Sequence, residues 1–295
     1  MMPVIPEEVV NDLEKALSRI QESGRRYNIS ALNDLLLTEE NFEKAREMAE
    51  KEARIVHYNG LLDSNKLFQG ILYCLLTPMQ RYIDQMRGYD ALFNANLSSS
   101  EKIAKNKGRL ARILKKSKTL FPNQKADYIH ELSRKWDELE LYERIRDNIN
   151  ISRDSEIQLR NSLIEDIKGL GMKTSSLLLR ISGSLYLVPV DSWMTEMLFF
   201  HGYDCEMPRF KVDRPRWENP IIITSKLRKT GLKGKAYLQA EEFALDLARK
   251  YDVPGFMLQL AFWTKNSSYQ TSQSFQSPVK SFIFRMYSPI PSICS

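Results

Sequence analysis

Only three cysteines occur in the 295 residues, Cys74, Cys205 and Cys294, and they lie too far apart to form a CxxC pair. That spacing argues against a structural zinc and against a four-cysteine iron–sulfur cluster. It also offers no disulfide framework, so a reducing intracellular compartment is expected. No uncharged apolar run reaches the roughly 18 residues a membrane-spanning helix needs, and the first residues lack a basic segment leading into an apolar one. Neither membrane insertion nor secretion is expected. Period-two runs of β-branched residues are almost absent as well, Ile221-Ile222-Ile223 being the one short candidate strand. The fold class expected is all-α.

What is present is ordinary in proportion. Hydrophobic residues make up 43% and charged residues 27%, and the net charge is +6 with a pI near 9.0. The length suits one large domain or two intimate lobes. The basic bias permits a polyanionic partner without requiring one.

Apolar spacing predicts a helix at 6–22, with Val9, Leu13, Leu17 and Ile20 on one face, and a solvated helix at 40–57. A buried helix is expected at 65–86, interrupted by Thr77-Pro78. Others are expected at 100–116, 123–138, 155–168, 171–183, 192–201, 236–250 and 254–265. Residues 203–220, with three prolines, read as a long surface connection. The Ser-, Gln- and Pro-rich stretch 266–295 reads as a weakly ordered or peripherally docked tail.

The most informative stretch is IEDIKGLGMKTSSLLLRISGSLYLVPVDSWMTEM, residues 164–197. One helix stops at Gly169-Leu170-Gly171, and a second begins at once with Met172-Lys173-Thr174. Two glycines at such a turn expose backbone N–H groups that can hold an anion, a DNA phosphate being the natural one. Taken alone, this is equally a plain αα-hairpin with a glycine C-cap. Asp191, placed just before another helix, is by itself an N-cap.

Hairpin and aspartate together, GLG-x-K-T followed by VPVD with 18 residues from Lys173 to Asp191, resemble the helix-hairpin-helix (HhH-GPD) family of DNA glycosylases, and among them the lyase-competent members. The closest resemblance is to the compact microbial 8-oxoguanine DNA glycosylase/AP lyases. It implies a two-lobed helical fold with the active site in the cleft between lobes. Residues 1–64 and 192–265 would form one lobe, residues 65–191 would form the other with the hairpin, and 266–295 would be peripheral. It implies a bifunctional enzyme acting on damaged double-stranded DNA, as a monomer. The lysine amine attacks C1′, displaces the base and forms a Schiff base, and β-elimination then cuts the strand. A lysine at its free pKa is protonated and inert, so it needs a tuned environment and a nearby carboxylate to take its proton. Lys173 and Asp191 are the candidate catalytic pair.

The resemblance assigns further residues. Gln259 and Trp263, four apart on the last helix, would read the edge and stack on the face of a flipped base. Leu177 stands where some relatives place a cysteine against the lesion. LYCLLTPMQ at 72–80 resembles the region that fills the gap left by the flipped nucleotide, with Met79 or Gln80 as the wedge. Phe121-Pro122-Asn123-Gln124-Lys125-Ala126 resembles a helix start of the microbial members. Carbonyls of Glu165, Ile167 and Leu170 would hold a structural K or Na ion, no other cofactor being required. Trp193 departs from the pattern, since relatives often carry a phosphate-binding histidine two residues after the aspartate.

Residues 102–125 hold nine Lys or Arg and no acid, and 226–235 hold five more without an acid. Lys115, Lys116 and Lys229, with Gly169 and Gly171, are the candidate DNA-backbone contacts. Two other readings stay open: a glycosylase for an oxidised pyrimidine or alkylated purine, and a non-catalytic helix-hairpin-helix DNA-binding protein.

Overall fold

The computed structural model describes residues 5–22, 36–78, 82–191, 194–195, 197–198, 201, 232 and 234–271. They are mostly helical, in agreement with the all-α expectation. In chain order come α1 (Glu7–Glu22), α2 (Glu39–Val56), the two-residue strands β1 (His57–Tyr58) and β2 (Leu61–Leu62), α3 (Ser64–Leu76) and α4 (Tyr82–Asn94). Next are α5 (Ser100–Ala104), α6 (Lys107–Lys116), α7 (Pro122–Arg134), α8 (Leu141–Asn148), α9 (Arg153–Asp166) and α10 (Met172–Ile181). The last are α11 (Gly234–Lys250) and α12 (Gly255–Thr271).

The chain divides into two units, Met1–Met48 with Val190–Ser295, and Ala49–Pro189. The sequence placed the first boundary after residue 64; the stretch from Ala49 belongs instead with the second unit. Val56 lies in that unit's core, and the buried Glu52 accepts from the Tyr73 hydroxyl at 2.8 Å and pairs with Arg180. The helix expected to be solvated thus buries Glu52 in an ion pair with Arg180.

In the second unit α3 is central. Its first three residues are polar, but from Leu67 to Leu76 every residue except Gln69 is buried. Asp63 starts it by accepting the Lys66 N–H at 2.8 Å. Gly70 lets α2 approach, since a Cβ there would lie 2.2 Å from Val56 Cγ1. The predicted interruption at Thr77-Pro78 is real: α3 ends at Leu76, and the next helix starts at Tyr82. The helix expected at 100–116 is two helices, broken at Lys105-Asn106.

In the first unit α1 buries Val9 and Leu13, and Lys250 of α11 pairs with Asp12 and, at 3.3 Å, with Glu8. The Lys265 ammonium donates to the Leu36 carbonyl, and Thr264 Oγ1 donates to the Asn41 carbonyl at 3.2 Å. Helix α12 itself runs past residue 266, where a weakly ordered or peripherally docked tail was expected, as far as Thr271.

His201 is buried in this unit with its ring 5.6 Å from that of Phe262, and neither ring nitrogen has a hydrogen-bond partner among the described residues. Burial pushes its pKa down to about 3; the Asp12 charge works the other way, and those of Lys250 and Lys265 reinforce the fall. The folded value lies below the unfolded one, so the neutral ring's contribution is complete above about pH 6.5. It is lost as pH falls through that value toward 3, at about 1.4 kcal/mol per pH unit. Urea titrations at pH 7 and pH 5 should therefore show an acid loss that is smaller by about 2 kcal/mol in His201→Leu. An equal loss in the variant would mean that carboxylates alone set the acid limb.

Candidate active site

The hairpin is formed by α9 and α10 in the second unit. Ile167 ends α9 with its N–H on the Leu163 carbonyl at 3.1 Å, and Leu170 N–H closes back on the Ile167 carbonyl at 3.2 Å. Gly169 makes the turn possible twice over. Its φ is +93°, and a Cβ would meet the Tyr128 ring at 2.4 Å and Leu75 Cδ2 at 3.1 Å. Gln124 donates to the Tyr128 hydroxyl at 2.7 Å, and Lys168 pairs with Glu131 at 2.9 Å, so α7 supports the turn. Arg144 on α8 pairs with Asp166 at 2.8 Å.

Gly171 behaves differently from the expectation. Its N–H donates to Thr174 Oγ1 at 2.8 Å, so it is already engaged within the hairpin. The donors left at this helix start are the N–H groups of Met172, Lys173 and Thr174. They have no acceptor one turn back, and Gly171 has no side chain to serve them. The donors that could meet an anion thus lie on the first three residues of α10 rather than at Gly171.

Lys173 occupies the first turn of α10 and is half-buried. Burial pushes the Cys74 thiol on α3 far up, and the Lys173 charge opposes that rise, so the two groups feel one another. Two turns further along α10, on the same face, Arg180 makes its buried pair with Glu52. Leu177 lies between, 5% exposed and part of the core. Its observed environment is packing against neighbouring apolar side chains.

Lys125 falls in a run whose composition reads as basic surface, but it is buried. Its ammonium donates to the carbonyls of Leu76 at 2.7 Å and Pro78 at 3.2 Å, closing the C-terminal end of α3. Desolvation brings its pKa down to about 8. Composition carries no signal for this, because a lysine that caps a helix end reads like any other in a basic run. Of the rest of the run, Lys115 and Lys116 are exposed on α6, while Lys105 and Lys107 pair with Glu101 and Asp127 at 2.9 and 2.8 Å.

Asp191, Gln259 and Trp263 belong to the first unit. Asp191 Oδ1 accepts the Met194 N–H at 2.8 Å, and its carbonyl accepts from Thr195 N and Oγ1 at 2.9 and 2.8 Å. The expected cap is therefore present. Gln259 and Trp263 stand one turn apart on α12. Gln259 is 6% exposed and its carbonyl oxygen has no hydrogen-bond partner among the described residues, whereas Trp263 is half-buried. A buried acceptor left without a donor costs about 1–3 kcal/mol, which a bound ligand's donor would recover.

The carbonyls of Glu165, Ile167 and Leu170 follow one another through the hairpin turn, that of Ile167 retaining one lone pair beyond its bond to Leu170. Met79, Gln80, Trp193 and Lys229 lie outside the described residues, as does Ile221-Ile222-Ile223. No described helix is long and apolar enough to cross a membrane.

The sequence model of the family described as 8-oxoguanine DNA glycosylase, Ogg-HhH, matches residues 51–215. Among curated relatives, a protein of Saccharolobus islandicus named 8-oxoguanine DNA glycosylase/AP lyase is 28% identical over 140 residues, which are 48% of this chain and 62% of that protein. The chain thus spans less than two thirds of that relative's length. A protein of Korarchaeum cryptofilum with the same name is 28% identical over 193 residues, 64% of this chain and 83% of its own. Among solved structures, the 8-oxoguanine glycosylase/lyase of Methanocaldococcus jannaschii in complex with a 15mer DNA containing 8-oxoguanine matches with a TM-score of 0.57 at 18% identity. The match covers 78% of this chain and 96% of that one. The 8-oxoguanine DNA glycosylase of Thermotoga maritima matches with a TM-score of 0.50, also at 18% identity, over 91% of this chain and 98% of its own.

Proposed function

The chain belongs to the 8-oxoguanine DNA glycosylase family Ogg-HhH, and from that premise we propose that it excises 8-oxoguanine from duplex DNA and cuts the strand at the resulting abasic site. The observation that carries this reading is Lys173 in the first turn of α10, immediately after the turn that Gly169 makes possible. In the proposed reaction the neutral Lys173 amine attacks C1′ as the bond from C1′ to the base breaks. The base leaves with the electron pair of that bond and picks up a proton. The amine loses a proton to Asp191, its remaining lone pair forms the C=N bond of a protonated Schiff base as the C1′–O4′ bond breaks, and O4′ takes a proton from water as the sugar ring opens. Water then takes a proton from C2′, and the electron pair released expels the 3′-phosphate in β-elimination. The Asp191 carboxylate also offsets positive charge as it develops on the sugar.

Gln259, with its unsatisfied buried carbonyl, would accept from the Watson–Crick edge of the flipped base, and Trp263 would stack on its face. The N–H groups opening α10, with Lys115 and Lys116, would hold phosphates. Carbonyls of Glu165, Ile167 and Leu170 would hold a monovalent cation stabilising the hairpin turn. As an enzyme acting on genomic DNA, the protein would work inside the cell.

The test incubates the protein with duplexes that each carry one defined lesion, with borohydride present and salt fixed. A covalent adduct forming on 8-oxoguanine and not on oxidised pyrimidines or alkylated purines supports the reading. Adducts confined to another lesion overturn the substrate, and none on any lesion or on abasic DNA overturns the chemistry. In the same assay Gln259→Ala should narrow the preference for 8-oxoguanine over guanine while leaving the salt dependence of DNA binding unchanged.

A further inference from the structure

Asp191 is delivered by a stretch of chain whose course is set by side chains from elsewhere. Asn150 sits at φ +60°, a conformation asparagine tolerates, and its amide serves the segment after α10 like a neighbouring strand. Its Nδ2 donates to the Gly183 carbonyl at 2.9 Å, and its Oδ1 accepts the Leu185 N–H at 3.0 Å. Asn150 is fixed in turn by Glu156, which is fully buried and accepts the Asn150 N–H at 2.8 Å through one oxygen and the Ser184 hydroxyl through the other. Ser184 Oγ also accepts the Leu187 N–H at 3.2 Å.

On the other side of Val188 and Pro189, the Val190 N–H donates to the hydroxyl of Tyr237 on α11 at 3.1 Å. Tyr237 is fully buried, and the next residue is Asp191. Each anchor lies within its own unit, and Pro189 between them has its φ fixed by its ring. Apolar packing does not account for the first part of the course, since Leu185 is 57% and Tyr186 37% exposed. A carboxylate is costly to bury, and this one serves a surface-exposed connection. That cost is understandable if the connection must not drift.

We propose that Asn150 and Tyr237 are positioning residues for Asp191, holding the backbone on either side of Pro189 so that the carboxylate meets the reacting sugar in register. The inference rests on the proposed role of Asp191. A misplacement of about 1 Å costs up to about a hundredfold in rate when geometry is the contribution, with little effect on binding.

The experiment measures single-turnover excision of 8-oxoguanine at saturating protein, with rate and amplitude recorded separately, together with DNA affinity and thermal midpoint. Asn150→Gly keeps the positive φ and removes only the amide, and Tyr237→Phe removes only the hydroxyl. Each should slow excision roughly tenfold or more, with amplitude and DNA affinity unchanged. Asn150→Asp still accepts the Leu185 N–H but has no donor for the Gly183 carbonyl, so its rate should fall between wild type and Asn150→Gly. Asn150 is exposed, so its variants test the inference even if Tyr237→Phe folds poorly. Unchanged rates, or a loss found wholly in amplitude, overturn it. A wild-type protein inactive on every lesion, or a fully active Asp191→Asn, overturns the underlying reading instead.

Discussion

Lys173→Gln is expected to bind duplex DNA within about twofold of wild type while excising no 8-oxoguanine and yielding no borohydride-trapped adduct. An amide nitrogen has no available lone pair, so the covalent route closes. Removing a covalent nucleophile leaves only what positioning supplies, and the loss should be on the order of 10⁴-fold or more. Two lysines of the second unit compete for this role, and they are told apart by geometry. Lys125 has its pKa drawn down to about 8, a value that suits an amine nucleophile. It is 5% exposed, however, and its ammonium is held by the Leu76 and Pro78 carbonyls, so it cannot reach a sugar. Lys173 is half-buried in the first turn of α10, beside N–H groups that can take a phosphate. Peptide mapping of the trapped wild-type adduct checks the choice directly. An adduct at wild-type yield in Lys173→Gln moves the nucleophile elsewhere and removes the basis for the lyase.

The hairpin was legible because its requirements are local. A glycine at φ +93° packed on Tyr128 cannot be another residue, and the apolar spacing on either side dictates which helix faces turn inward. The capping role of Asp191 was legible for the same reason, since an acid before a helix has one obvious use for its oxygen. Long-range polar contacts left no such trace. Glu52 lies in a stretch rich in Glu, Lys and Ala and reads as solvent-facing until Tyr73 and Arg180 meet it. Asn150, Glu156 and Tyr237 reach Gly183, Ser184 and Val190 across 33, 28 and 47 residues, and no local pattern marks those contacts.

Other misses have smaller causes. Helix α8 went unread because only Leu141 and Ile145 face inward and Glu140 before it, at φ +46°, gives no side-chain cap. The β1–β2 hairpin did carry a signal, Asn59-Gly60, with both residues at positive φ. Two-residue strands were simply too short to show alternation. The end of α12 was hidden by composition. Its Asn, Ser and Gln residues favour loops, yet Thr264 and Lys265 tie the helix to the Asn41 and Leu36 carbonyls.

Asp191→Asn is expected to lower single-turnover excision by about 10²–10⁴-fold, the scale of losing an acid–base group, while changing stability by about 1 kcal/mol or less. The small stability cost follows from the contact that is seen. Asp191 Oδ1 accepts the Met194 N–H at 2.8 Å, and an asparagine oxygen makes the same bond. Both residues are good caps, so helix start and local backbone stay in place, and the bonds from Thr195 to the Asp191 carbonyl do not involve the side chain. What changes is the charge. In the proposed reaction that charge takes the proton from the attacking amine and offsets the cation forming on the sugar, so both losses would fall on the transition state. Measured rates should therefore drop with DNA affinity almost unaltered. Asp191→Ala separates the two roles: it loses the charge and the cap together, so its rate should match that of Asp191→Asn while its stability falls by about 1 kcal/mol or more. If Asp191→Asn keeps wild-type turnover and only Asp191→Ala is impaired, the carboxylate is a helix cap and the proton acceptor must be another group.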